Sequence, residues 1–259
     1  MVWELSIAAS LMGGLLFALE LGFQLGRRAV KHREAPSGGQ VGAIQGAALG
    51  LLGLLLGFSF AGAASRFLER QDLIVEEANA IGTAYLRADM LDEPHASNLR
   101  GALEKYLRHR VEVSARLREG LAEDDRAMIG ALHAAIWKAA AGGVNAKAAA
   151  MLAVLDPVNE VIDLHSVRVA AGRKHLPLLV LVLVIGCSLL GMGVIGYGCG
   201  MAGRRTLPMT GSLALLIAAA LWTTIDLDHP RAGLIRLSDA PLAELRFGEG
   251  EQKGGLGER

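Results

Sequence analysis

Four apolar runs and one long charged stretch set the plan of this chain. The runs are Leu5–Leu25, Val41–Ala64, Leu176–Met201 and Leu207–Ile225. At 1.5 Å rise per residue, each covers the roughly 30 Å of a bilayer's hydrocarbon core. The stretch between the second and third runs keeps a helical rhythm. Leu99, Leu103, Tyr106 and Leu107, then Leu117 and Leu121, mark one apolar face, and Met128, Leu132 and Ile136 a second, ended by Gly142-Gly143. Asn145 suits the cap of a helix through Leu155, and Asp156-Pro157 reads as an N-cap followed by proline at N1 of the last helix. No period-two alternation occurs in it. The expected fold is therefore all-α: an integral membrane protein with four transmembrane helices and a helical extramembrane domain between spans two and three. The boundaries follow as residues 1–65, 66–175, 176–225 and 226–259. The last segment holds a short helix from Ser238-Asp239-Ala240-Pro241 to Leu245, then a polar, glycine-rich tail, Gly248 to Arg259, expected to be disordered.

The stretch Gln40–Arg87 contains no proline and reads as one helix, half in lipid and half in water. Gly42, Gly46 and Gly50, and Gly53, Gly57 and Ala61, recur every four residues, a spacing that admits a second helix backbone at close range. Packing within the chain is the expected use. Beyond the membrane, Asp72, Glu76, Asn79, Thr83 and Arg87 share one helical face. Phe67, Ile74, Ala78, Ile81, Tyr85 and Ala88 fall on another, with Phe67, Ile74 and Ile81 seven apart in the manner of a coiled-coil seam.

Charge settles several questions. Lys+Arg and Asp+Glu both number 26, so the chain lacks the basic excess a nucleic-acid partner demands. Arg27, Arg28, Lys31 and Arg33 occupy the first short loop and Arg204 and Arg205 the second, which places both in the cytoplasm by the positive-inside rule. The N-terminus, the 66–175 domain and the C-terminus are then expected outside. The start, Met1-Val2-Trp3-Glu4, lacks the basic n-region of a cleaved signal peptide. Cys187 and Cys199 lie in an apolar run, which argues against a disulfide framework, and no Cys/His spacing suggests zinc. Gly191-Met192-Gly193-Val194-Ile195-Gly196 spells G-x-G-x-x-G, but without a preceding strand it is no dinucleotide site. No nucleophile elbow, paired-histidine metalloprotease motif or phosphate loop occurs, so neither enzymatic activity nor a cofactor is expected.

Three polar groupings remain. Glu20, inside the first span with Gln24 one turn on, is expected to pair with Arg27 or with a basic residue of another loop. The helix leaving at Arg66 and the one entering from Pro157 are both tied to spans, so their heights compare. Asn79 stands roughly 21 Å above Ser65 and Asp163 roughly 20 Å above Leu176. Glu76 then matches Ser166, and Glu69 and Asp72 lie near Arg173 and Arg168. Glu20, Asp72, Glu76, Asn79, Thr83, Arg87, Asn159 and Asp163 are accordingly the candidates for a polar cluster or permeation path. Ordinary interhelical bonding is the simpler account. Asp226, Asp228 and His229, before Pro230, are a candidate metal site through hard oxygens and one nitrogen.

Several motifs resemble a known family. They are Glu20-Leu21-Gly22-Phe23-Gln24-Leu25-Gly26-Arg27-Arg28, Gly42-Ala43-Ile44-Gln45-Gly46 through Gly57-Phe58-Ser59-Phe60, and Val75-Glu76-Glu77-Ala78-Asn79-Ala80-Ile81-Gly82-Thr83-Ala84-Tyr85-Leu86-Arg87. Asn159-Glu160-Val161-Ile162-Asp163-Leu164-His165, His175-Leu176-Pro177 and Asp228-His229-Pro230-Arg231-Ala232-Gly233 follow in order. Together they resemble the bacterial bestrophin-like domain family, four-span membrane proteins without a settled activity. The resemblance implies a multi-pass protein of the bacterial inner membrane. Its name refers to bestrophins, oligomeric anion channels whose calcium clasp follows Pro-Phe-Gly. Here Asp226 and Asp228 precede Pro230 and Phe-Gly is missing, so calcium gating is not carried over. The expected function is an oligomeric ion channel or transporter, with ions and the lipid bilayer as its partners. The alternative is a non-conducting scaffold or sensor whose helical domain binds a protein partner.

Overall fold

The computed structural model describes residues 2–32, 35–116, 123–231, 233–245 and 247. Arg33, Leu117, Leu121 and the tail from Gly248 lie outside them. The described residues form helices α1 (Val2–Lys31), α2 (Gly38–Arg87), α3 (His95–Arg116), α4 (Glu123–Ala146), α5 (Met151–Arg173), α6 (Leu178–Met201), α7 (Leu207–Asp228) and α8 (Ala240–Ala243), with no strand among them. Two compact units result. One comprises Met1–Phe67 and His175–Arg236, the other Leu68–Lys174 and Leu237–Arg259. Helix α2 is unbroken over its 50 residues. Five stretches are long and apolar enough to cross a membrane: the four expected runs and α4.

In the first unit α1 packs against α6 and α7 around Leu15, Leu19, Leu52, Val184, Met192, Ala214, Ile217, Ala218 and Leu221. The α1–α6 contact is backbone on backbone. A Cβ at Gly22 would stand 1.9 Å from the Gly193 carbonyl oxygen, one at Gly26 2.2 Å from that of Tyr197, one at Gly196 2.0 Å from that of Leu19 and one at Gly200 2.1 Å from that of Phe23. Each helix thus offers two glycines four apart, and any side chain there would collide with main chain. Of the G-x-G-x-x-G glycines, Gly196 makes this contact, Gly193 lies at ordinary distance from the Ala18 carbonyl, and Gly191 faces α2 instead. The expectation for α2 is corrected, because Gly42, Gly46, Gly50, Gly53 and Gly57 have nothing within reach of an added Cβ. Helix α2 meets α6 through Leu49 and Leu52, which approach Gly191, and through the Gln45 amide, which donates to the Val194 carbonyl at 3.1 Å. Those residues lie on a different side of α2 from its glycines.

In the second unit the second half of α2 buries Ile74, Ala78, Ala80, Ile81 and Ala84 against α3, α4 and α5, with Leu99, Leu103, Tyr106, Ile129, Ile136, Val154, Val158, Val161 and Leu242 completing the core. Three local expectations fail, the first being that Asn145 lies in the last turn of α4 and caps no helix. Helix α4 runs past Gly142-Gly143 to Ala146. At Gly143 a side chain would come within 2.6 Å of Leu91, so this glycine serves helix contact, not termination. Helix α5 begins at Met151, so Asp156 is no N-cap and Pro157 sits inside the helix. A proline there cannot bond the carbonyl four residues back, that of Ala153. Arg87 of α2 donates to that oxygen from Nη1 at 3.2 Å. A second α2 arginine, Arg70, does the same for the end of α5, donating from Nε to Ala171 O at 3.1 Å and from Nη2 to Lys174 O.

Placing a methyl group at Gly196 (Gly196→Ala) is expected to destabilise the first unit by about 1–3 kcal/mol through overpacking. Gly50→Ala should leave it unchanged. Thermal unfolding of the detergent-solubilised protein, followed by circular dichroism, compares the two.

Candidate functional site

The deepest charge in the second unit is Glu77, which is 0% exposed. It lies on the buried side of α2, three residues after Ile74 and four before Ile81. Tyr106 of α3 donates its hydroxyl to Oε1 at 2.6 Å, and Arg110 donates Nε to Oε1 at 3.0 Å and Nη2 to Oε2 at 3.3 Å. Arg168 of α5 pairs with Oε2 and lies 3.8 Å from Asp239. Three helices thus meet on one carboxylate. Beside it His133 lies 5.1 Å from the Tyr106 ring, and His165 meets His133 edge-on at 5.2 Å. Burial holds the Tyr106 hydroxyl protonated, pushing its pKa up to about 12. Burial, then the Arg110 charge, lowers His133. The same two causes, with His133 third, bring His165 down to about 4. Both imidazoles are therefore neutral near pH 7, as their cationic neighbours require.

The sequence candidates take other positions. Asp72, Glu76, Asn79, Asn159 and Asp163 are exposed and Thr83 half-buried. The pairs Glu69–Lys174, Arg70–Ala171, Glu77–Arg168 and Arg87–Ala153 set α2 and α5 side by side and antiparallel. Asn79 and Asp163 fall at a common level within that register. Arg168, expected near Asp72, turns inward to Glu77 instead, because a buried carboxylate demands a cation and an exposed one has water. Arg87 is committed to the α5 backbone. Asp72, Glu76 and Asp163 have no cationic partner among the described residues. Glu77 was hidden in plain sight: a charge on the apolar side of α2 is itself the mark of a buried pair.

The first unit matches its own charges too. Glu20 accepts both guanidinium nitrogens of Arg205, at 2.7 and 3.0 Å, and the Gln24 amide at 3.1 Å, while Arg205 stacks 4.3 Å over Phe23. The partner is thus a residue of another loop, not Arg27. The proposed trio of Asp226, Asp228 and His229 separates. Two residues apart on α7, the aspartates face different sides. Asp226 accepts the amides of Leu234 and Ile235 at 2.9 and 2.8 Å and fixes the loop after α7. Only glycine fits at 233, where a Cβ would stand 2.1 Å from Asp226 Oδ1. Asp228, 2% exposed, ties the end of α7 to the middle of α2 and to the start of α6. Arg66 of α2 donates Nε to its Oδ1 at 3.0 Å, and the Leu176 amide before α6 donates to its Oδ2 at 2.9 Å. His229 stacks on His175 at 4.7 Å.

The family model for the Bestrophin-like domain matches residues 14–242. No curated protein and no solved structure matches the chain.

Removing Glu77 (Glu77→Ala) strands Arg110 and Arg168 and is expected to cost about 3–5 kcal/mol, whereas Glu76→Ala should stay within about 0.5 kcal/mol, as read by chemical denaturation. Acid is expected to loosen the second unit. The unfolded His165 side chain takes up a proton near pH 6.5 and the folded one only near 4, so stability falls as pH drops across that window. His165→Gln should flatten the fall in a melting-temperature series.

Proposed function

The chain belongs to the Bestrophin-like domain family, and from that premise we propose that copies of it assemble in the membrane and pass ions along the polar face of α2 and α5. The observation that carries this reading is a contrast between two groups of polar residues. Four polar residues within the apolar runs are satisfied inside the chain: Glu20 by Arg205, Gln45 by the Val194 carbonyl, and Ser188 and Thr224 by carbonyls one turn back. By contrast Asp72, Glu76, Asn79, Asn159 and Asp163 point outward, three of them carboxylates without a cationic partner among the described residues. A hydrophilic route is therefore better built between copies than inside one. Rings of carboxylates favour cations over anions. In this reading α1, the first half of α2, α6 and α7 are the four spans of a bacterial inner-membrane protein. Helix α4 stays in water with its buried face on α3 and α5, and the short basic loops face the cytoplasm. The protein needs neither catalysis nor a cofactor.

The second reading is a scaffold or sensor, favoured by the Glu20–Arg205 pair, which satisfies the acid of the first span inside the chain. Purified protein in liposomes separates the two. Ion flux with a cation-selective reversal potential, reduced several-fold in Asp72→Ala/Glu76→Ala, is the expected result. No flux, together with recovery of one specific protein by crosslinked pull-down, would transfer the assignment to the scaffold.

A further inference from the structure

The start of α6 and the end of α7 bring together side chains from two distant points of the sequence. His175 precedes α6, while Asp228 and His229 close α7. One ligating atom from each lies within 4.8 Å of the others. His175 Nδ1, 3.0 Å from the Asp228 main-chain oxygen, stands 3.4 Å from Asp228 Oδ2. That is about the edge of a tetrahedron with bonds of roughly 2.1 Å, the zinc–nitrogen and zinc–oxygen lengths. The His229 ring lies parallel to that of His175, 10° from coplanar orientation, with both histidines at the surface and open to solvent. For its in-plane lone pair to reach the same centre, the exposed His229 ring turns out of the stack and its Nδ1 leaves the Ile225 carbonyl, 3.1 Å away.

We propose that His175, Asp228 and His229 bind a divalent transition-metal ion, with Zn2+ as the reference case. The choice of metal follows from the donors. Two neutral imidazoles and one carboxylate suit borderline ions, whereas Ca2+ and Mg2+ take sets of oxygens. Arg66 lies 2.9 Å from the same carboxylate, on Oδ1, which cancels its charge and further disfavours hard cations. It also fixes the carboxylate so that Oδ2 faces His175, the orienting role that outer partners play in metal sites. Asp226, on the other side of α7, takes no part. The site therefore differs from the trio that adjacency in the sequence suggests.

Zinc titration by calorimetry of the full-length, metal-free protein in detergent tests this. The expected result is one ion per chain, with affinity unaffected by a large excess of Ca2+ or Mg2+. In His175→Ala/His229→Ala affinity should fall at least about a hundred-fold with helicity and elution volume unchanged, while His32→Ala binds as the parent does. Absence of zinc binding, or binding that survives the double substitution, would overturn the proposal. His229→Ala, which leaves the Asp228–Arg66 contact intact, provides a second variant should the double one misfold. Loss of zinc binding there supports the site and retention counts against it, whatever the flux experiment returns.

Discussion

Polar groups withdrawn from water must be matched, and this chain is built around the places where that demand is hardest to meet. A carboxylate with no solvent contact is costly unless cations and donors surround it. Glu77 obtains Arg110 and Tyr106 from α3 and Arg168 from α5. Apolar contact alone tolerates many packings of four helices. A single carboxylate with donors on two other helices tolerates few. The core around Ile74, Ile81, Leu103 and Val158 supplies cohesion, and the charge selects the arrangement.

The same demand explains the backbone. Pro157 deprives Ala153 of its usual donor, and the end of α5 leaves further carbonyls open. Arg87 and Arg70 fill both vacancies from α2. A helix holding an internal proline is thereby kept regular by its neighbour. In the first unit Asp226 performs the converse service for amides, gathering Leu234 and Ile235 into the loop after α7, while Asp228 gathers Arg66 and Leu176. Long side chains with several donors, and short acids at helix ends, do work that caps do elsewhere.

Much of the fold was legible in the sequence because its main signals are one-dimensional. Apolar runs of bilayer length, helical spacing in the charged insert and the absence of breakers in α2 all survive translation into coordinates. Height along two antiparallel helices is similarly a matter of counting, and the Glu69–Lys174 and Arg87–Ala153 contacts follow the count closely. What was hidden depends on the angle around a helix and on which neighbour arrives there. Glu76 and Glu77 are adjacent letters, yet one meets solvent and the other the core. Asp226 and Asp228 look like partners on paper and face apart on a helix. The α1–α6 contact involves glycines in two separated runs, and no single run reveals that they meet. Proline after aspartate resembled a helix start, because nothing local announces an arginine 70 residues earlier waiting for the spare carbonyl.

The unengaged glycines of α2 have a practical consequence. Gly42, Gly46, Gly50, Gly53 and Gly57 descend one helix in steps of three or four residues, each with open space where a side chain would begin. They form a ready-made ladder of attachment points for nitroxide or fluorescent reporters that leave the chain's own contacts undisturbed. Read rung by rung, such reporters would register depth in the lipid, or the arrival of a neighbouring molecule, without perturbing what they measure.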